Sequence, residues 1–396
     1  MSLKTISCPP VNRRRAGHQA GGPALRERQG WELFVYVLGI LCSYLLLAVP
    51  RRWLLRYARG LLQSRFYPAC RHVLFHKSGR SALSAVFCRV AAQRSNGCVL
   101  IPDYVCNVVS RAVSQHGLVP VTYATSGNFS IDMADLENRL QDPRVVAAVL
   151  ASIFGAQNRS QPVLDRIRKT RPDIVIVVDD CQNLATGVPF VPDDRTVVVF
   201  SFNMKNICGT MGGGLCFSTD FLQLEEPGAG CVEGLLLELR LHCMLLLQLA
   251  EQTRRAWRAI AWPLGPYRRP PLEYSPCARP QYDMAVQRIA KLSLVRAIQG
   301  IHDLAHLEKR RQYNVGQLQR YLAATGLGEV IATERVEIAP FVPLRSQASQ
   351  LVGLLPLKGP YALDAVPSRS IRPELIAFQN QGIGRIVFHP GRPDTH

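Results

Sequence analysis

Acidic residues are in short supply in this chain. Its 396 residues hold 29 Asp and Glu against 47 Lys and Arg, for a formal net charge of +18. Charged residues make up 19% of the whole and hydrophobic ones 47%, which fits a globular chain with a large core and room for two domains. Paired cysteines are also missing. Twelve cysteines are scattered without any C-x-x-C spacing, so neither a metal nor a dithiol motif is supported, and a reduced cytosolic compartment is the simplest fit. There is no internal repeat, and long strongly apolar runs without a charge are absent with one clear exception, Leu33–Pro50.

What basic charge there is gathers at the start. Residues 1–65 carry eleven Lys and Arg against Glu27 and Glu32, a net of +9 in the first sixth of the chain. Such asymmetry points to nucleic acid or to an anionic membrane surface. Residues 1–30 read as a disordered basic tail. Leu33–Pro50 is eighteen residues long and as a helix would rise roughly 27 Å, near the thickness of a bilayer core. RRWLLRYAR follows, with Trp53 and Tyr57 suited to a membrane interface. A membrane anchor, an interfacial helix and a buried core helix are the three readings of residues 31–65. The arginines after Pro50 favour a catalytic portion on the cytoplasmic face. Because the basic excess flanks an apolar run, lipid suits it better than nucleic acid.

From Ser78 a strand–helix rhythm sets in. Ser78–Ala92 has helical apolar spacing, with Ser78-Gly79 as its start. Strands are expected at Cys98–Ile101, Val119–Tyr123, Val145–Ala151, Ile174–Val178, Thr196–Phe200 and Gly214–Ser218. Helices are expected between them at Val105–His116, Met133–Leu140 and Gln161–Thr170. Short apolar strands alternating with helices predict a mainly parallel sheet covered on both faces. Chemistry in such sheets collects at the carboxyl ends of the strands. Residues 221–285 break the rhythm with a leucine-rich stretch suited to a membrane surface or a dimer interface. One long amphipathic helix is expected from Val286 to about Leu322, and a further helix at Pro373–Gln381. The domains are then 1–30, 31–65, a large domain at 66–285, and a small C-terminal one at 286–396.

Phe200–Gly214, FSFNMKNICGTMGGG, holds the residue with the most chemical promise. Lys205 follows a buried strand, precedes a glycine cluster, and has no acidic residue near it from Arg195 to Thr219. A lysine in such surroundings loses proton affinity by desolvation and becomes a candidate covalent amine. A plain loop lysine beside a glycine turn is the alternative reading of that stretch alone.

Taken with SGRSAL at Ser78, NFSIDMADLENRL at Asn128, SIFG at Ser152, VDDCQNLA at Val178 and KNICGTMGG at Lys205, the chain resembles the DegT/DnrJ/EryC1/StrS family of sugar aminotransferases. That family has pyridoxal-phosphate (PLP) transferase fold type I, an α/β fold with a mainly parallel seven-stranded-type sheet and a small C-terminal α/β domain. The likeness covers Phe75–Ser218 well and Val286–His396 loosely. It implies that Lys205 carries PLP as a Schiff base and moves the proton. Asp179, with Asp180 as the alternative, pairs with the pyridinium nitrogen, and Gln182 reaches the ring's phenolic oxygen. Ser201 and the backbone at Gly79–Ser81 hold the phosphate, with Arg80 adding charge. Tyr104, Cys106 and Asn203 complete the expected cofactor shell. The chain departs from the family at Cys106, where many members place a ring-stacking aromatic, and in the four-residue step from Ser201 to Lys205. The function implied is transfer of an amino group, by expectation from glutamate, to a nucleotide-linked keto sugar by a membrane-attached homodimer. A PLP-fold partner or scaffold protein without activity is the alternative.

Overall fold

The computed structural model describes residues 45–182, 184, 191–202, 212–227, 286–326, 328–336, 341–346, 357–358 and 375–378. Seven helices are described: α1 Arg51–Arg65, α2 Gly79–Gln93, α3 Asn107–Gln115, α4 Met133–Leu140, α5 Gln161–Thr170, α6 Lys291–His302 and α7 Leu304–Thr325. The first seven strands are β1 His72–His76, β2 Cys98–Pro102, β3 Val119–Tyr123, β4 Val145–Ala151, β5 Val175–Asp179, β6 Thr196–Ser201 and β7 Gly213–Phe217. They form one sheet in the order β1-β7-β6-β5-β4-β2-β3. β3, β2, β4, β5 and β6 run parallel, while β7 pairs antiparallel with both β6 and β1. The doubly covered, mainly parallel sheet expected from the strand–helix rhythm is therefore present.

The strands are buried along their whole length at β4, β5, β6 and β7, as β-branched runs buried on both faces should be. Side chains alternate between faces, and each face has its own core. On the first, Val99, Ile101, Val149, Val177, Val199 and Leu215 pack under α2 and α3. On the second, Leu100, Leu150, Ile176, Val178, Val198 and Phe200 pack with α1, α4, α5 and α6. Caps set the helix starts. The Ser78 hydroxyl accepts from the Ser81 N–H, 3.2 Å, and the Asp132 carboxylate accepts from Ala134 and Asp135. Gly326, in the left-handed region at φ 64°, ends α7.

The second sheet is four-stranded and antiparallel, in the order β10 (Leu357–Lys358), β11 (Leu375–Phe378), β9 (Phe341–Ser346), β8 (Gly328–Val330). The helix expected over Pro373–Gln381 is thus corrected to β11. A short apolar run carries no decisive period, and pairing with β9 decides it.

Two other expectations change. The single helix from Val286 to Leu322 is two helices meeting at Asp303, and it starts later, at Lys291. Residues ahead of it are used as a strap: the Lys77 N–H donates to the Gln287 carbonyl, 2.8 Å, and His76 bridges Arg288. Residues 51–65, expected within the membrane segment, form α1, which buries Leu54, Ala58 and Leu62 in the second core. Arg51 and Arg65 donate to the carbonyls of Ile289 and Ile301, fastening it to α6. Residues 1–44 lie outside the described residues, as does the leucine-rich stretch 228–285. Among the described residues no helix is long and apolar enough to cross a membrane.

Candidate active site

The carboxyl ends of β4, β5 and β6 and the start of α2 meet on the first face of the sheet. Val175 and Val177 lie in the first core, so the alternation puts Asp179 on that face. Val197 and Val199 do the same for Ser201. Ser201 is opposite Gly213 in the β6–β7 register, and its hydroxyl donates to the Gly212 carbonyl at 3.4 Å. Gly79, first residue of α2, fits between these strand ends only because it lacks a side chain. A Cβ there would lie 2.7 Å from the Cys181 sulfur and 3.2 Å from the Ser201 Cβ. A Cβ on Gly213 would lie 2.6 Å from the Gly79 nitrogen. Two glycines thus bring a helix N-terminus and a strand end into direct contact.

That helix start leaves backbone N–H groups without carbonyl partners in the helix, at the positive end of its dipole. The Ser81 N–H is taken by the Ser78 hydroxyl, and the Ser81 hydroxyl accepts from the Gln287 N–H at 3.1 Å. Of the expected phosphate contacts at Gly79–Ser81, the Ser81 N–H and hydroxyl therefore already have protein partners. Arg80 is half-buried on the same turn.

Asp179 is buried, and its carboxylate accepts the Cys181 N–H at 3.1 Å. Burial raises its proton affinity, the Cys181 thiol and N–H oppose that, and the Asp180 charge adds to the rise. Asp180 is fully buried among second-core residues, where its Oδ2 accepts the Tyr67 hydroxyl at 2.6 Å and the Arg159 guanidinium at 2.5 Å. Burial raises its proton affinity as well, with Arg159 and Tyr67 acting against it. The two adjacent carboxylates are sorted by the sheet: Asp179 toward α2, Asp180 into a closed ion pair behind.

The remaining expected residues divide. Gln182 accepts the Phe154 N–H on its side-chain oxygen at 3.3 Å, bracing the β5 turn against the loop after β4. Tyr104 is buried in an aromatic group with Phe129, 5.3 Å, and Phe154, 6.1 Å between ring centroids. Cys106 stands immediately before α3 at its N-cap position. It faces Cys181, whose thiol is pushed well above the usual thiol range by burial and the Asp179 charge, with a smaller contribution from Cys106. Lys205 and Asn203 lie outside the described residues. Their flanks are fixed, since the Phe202 N–H donates to the Gly212 carbonyl at 2.9 Å. Arg159 and Tyr67 were not singled out from the sequence; one sits in the polar loop sequence NRS and the other in a connector, and neither carries a local sign of burial.

No family model matches the chain, and neither does any curated protein sequence. Solved structures do. The DegT DnrJ EryC1 StrS aminotransferase from Brucella abortus superposes with a TM-score of 0.54 at 14% identity, over 90% of this chain and 92% of that one. NtdA from Bacillus subtilis, solved with its bound cofactor PMP, gives 0.55 at 13% identity over 92% and 82%. The chain shares their fold. The cysteine desulfurase from Thermococcus onnurineus NA1 shares it too, at 0.51 and 13% identity over 81% and 78%. The likeness is one of fold: the mainly parallel sheet and its covering helices match a fold type I architecture.

Proposed function

We propose that the chain is a PLP-dependent aminotransferase of the sugar aminotransferase type. The observation that carries this is the gathering of Asp179, Ser201 and the glycine-backed start of α2 on one face of a fold type I sheet. These residues fit the cofactor. Gly79 and Gly213 let the start of α2 sit directly on the strand ends, that helix start suits a phosphate, and a buried carboxylate stands beside it. When bound, PLP supplies an electron sink for the carbon that carries the amino group.

Each residue then has a task that it performs by its own chemistry. The backbone at Gly79–Ser81 and the Ser201 hydroxyl would hold the phosphate, with Arg80 adding charge. Asp179 holds a proton at the ring nitrogen, which its burial makes a strong electrostatic contact. The Cys181 N–H fixes the orientation of that carboxylate. Lys205 supplies the amine that anchors the cofactor and moves the proton between the two carbons. Glutamate as donor and a nucleotide-linked keto sugar as acceptor complete the proposal, and they follow from the family likeness of the sequence. A homodimer held at the cytoplasmic face of a membrane belongs to the same reading. Support for the membrane comes from the uncharged run Leu33–Pro50 and from Arg52, Trp53, Arg56 and Tyr57 on the exposed side of α1. Sedimentation of the full chain with anionic vesicles tests that part.

The visible spectrum of the purified protein with PLP tests the chemistry. A bound-cofactor band is expected in the native chain and its absence in Lys205→Ala; no band in the native chain overturns the proposal. Adding glutamate should then convert the band. A band that glutamate leaves unchanged supports the second reading, a PLP-fold partner protein without activity, which Cys106 at the head of α3 favours.

A further inference from the structure

The buried pair Asp180–Arg159 has no task in the chemistry just described. Taking an ion pair out of water is costly, and apolar replacements of such pairs are often neutral or stabilising. Its location suggests what it does. Asp180 and Asp179 share a peptide unit, and that unit is pinned on both sides: the Asp179 carbonyl accepts the Ser152 N–H at 3.1 Å, and the Asp180 N–H donates to the Val199 carbonyl at 2.8 Å. Arg159 reaches Asp180 from the loop after β4, the same loop whose Phe154 N–H binds Gln182. Tyr67 approaches from the connector before β1 and stacks on Phe200, 6.1 Å between centroids. Two separate chain segments therefore close on one carboxylate directly behind Asp179.

We propose that Asp180, clamped by Arg159 and Tyr67, is a positioning residue for Asp179: it locks the end of β5 so that one carboxylate faces the cofactor, and it adds negative potential there. This rests on Asp179 being the partner of the cofactor's ring nitrogen. The groups in play are few. Asp179 is faced by Cys181 and Asp180. Asp180 is faced by Arg159, Tyr67 and Cys216, with Cys70 beyond. Burial keeps the Tyr67 hydroxyl and the Cys216 thiol protonated, so Asp180 is the negative group of the cluster and Arg159 its counter-charge.

The test uses the full chain loaded with PLP and follows the visible band against pH. Arg159→Met with Asp180→Asn removes both charges at similar volume, and the midpoint of the titration is expected to fall by about one pH unit. Tyr67→Phe keeps both charges and removes one strut. Its visible circular dichroism, which reports how firmly the ring is oriented, is expected to drop by about half with an unchanged far-ultraviolet spectrum. A midpoint within about 0.2 units of native, or full visible dichroism in Tyr67→Phe, overturns the proposal, and Tyr67→Phe decides alone if the double variant does not fold. A native chain with no visible band sinks the underlying reading of the site; a band that none of these changes disturbs sinks only the positioning role.

Discussion

Gly79 and Cys181 stand so close that a methyl group on the first would lie 2.7 Å from the sulfur of the second. Both are held in place, one by the cap of α2 and the other by the turn after β5. Gly79→Ala is therefore expected to cost about 1–3 kcal/mol, the usual range for overpacking a tight site. It should also weaken PLP binding, because the helix start is pushed off the strand ends. Adding Cys181→Ala should recover part of the stability loss in thermal melts. The Ser201 Cβ, at 3.2 Å, keeps the recovery incomplete.

Gly155 carries a different constraint. Its φ is 88°, and a Cβ there would lie 2.4 Å from the Arg335 backbone carbon. Backbone cannot step aside as a side chain can, and alanine is strained at this φ as well. Gly155→Ala should cost about 2–4 kcal/mol in urea unfolding. Limited proteolysis should then cut near residues 331–336, which the same loop holds through Thr333 to Phe154 and Arg335 to Gly155.

His76 gives the chain an acid sensitivity. It is fully buried, neither ring nitrogen has a hydrogen-bond partner, and burial lowers its pKa from 6.5 to about 4. The unfolded chain takes up a proton below pH 6.5, while the folded chain resists until about pH 4. Stability from this group is thus present above pH 6.5 and is lost as the pH falls toward 4. Between pH 7.5 and 4.5 the loss is about 2–3 kcal/mol. His76→Leu should remove that part of the pH dependence in denaturant titrations; parallel curves for the two proteins would refute the assignment.

Asn158 works as a buried clip. Its amide donates to the carbonyls of Phe129 and Ala151, both at 2.9 Å, and its oxygen accepts the Ile131 N–H. Asn158→Ala strands three backbone groups and should cost about 2–4 kcal/mol by urea unfolding. Asn158→Asp keeps the acceptor but loses both donations, so it should fare no better.

Local chemistry was the legible part of this sequence. α4 begins and ends where Asp132 and the Leu136–Leu140 spacing place it, and β4 follows the Val145–Ala151 run. Asp179 and Ser201 could be placed at strand ends because apolar runs stop there. Partners brought in from a distance were not legible. Nothing near Arg159 announces a carboxylate from another strand, and nothing near Asp303 announces that α6 and α7 part there. Gln287 looked helical by spacing, yet its backbone is taken by Lys77 and Ser81, some 200 positions earlier in the chain. Competition of that kind is decided by tertiary packing, and a local pattern cannot register it.

The neighbour of β1 is β7, the last strand of the large sheet to be synthesised, with His72 set against Phe217. Until β7 leaves the ribosome, β1 has no partner strand in the sheet, and the start of α2 lacks the Gly213 contact that completes its seat on the ends of β5 and β6. Assembly of the site is therefore a late event in folding, governed by one pairing between distant parts of the chain, and slow for that reason. In the interval β1 is an apolar edge with its backbone unpaired, the kind of surface that seeks partners elsewhere. Yield of folded protein should accordingly depend on translation speed through residues 196–217 more than through any stretch before them.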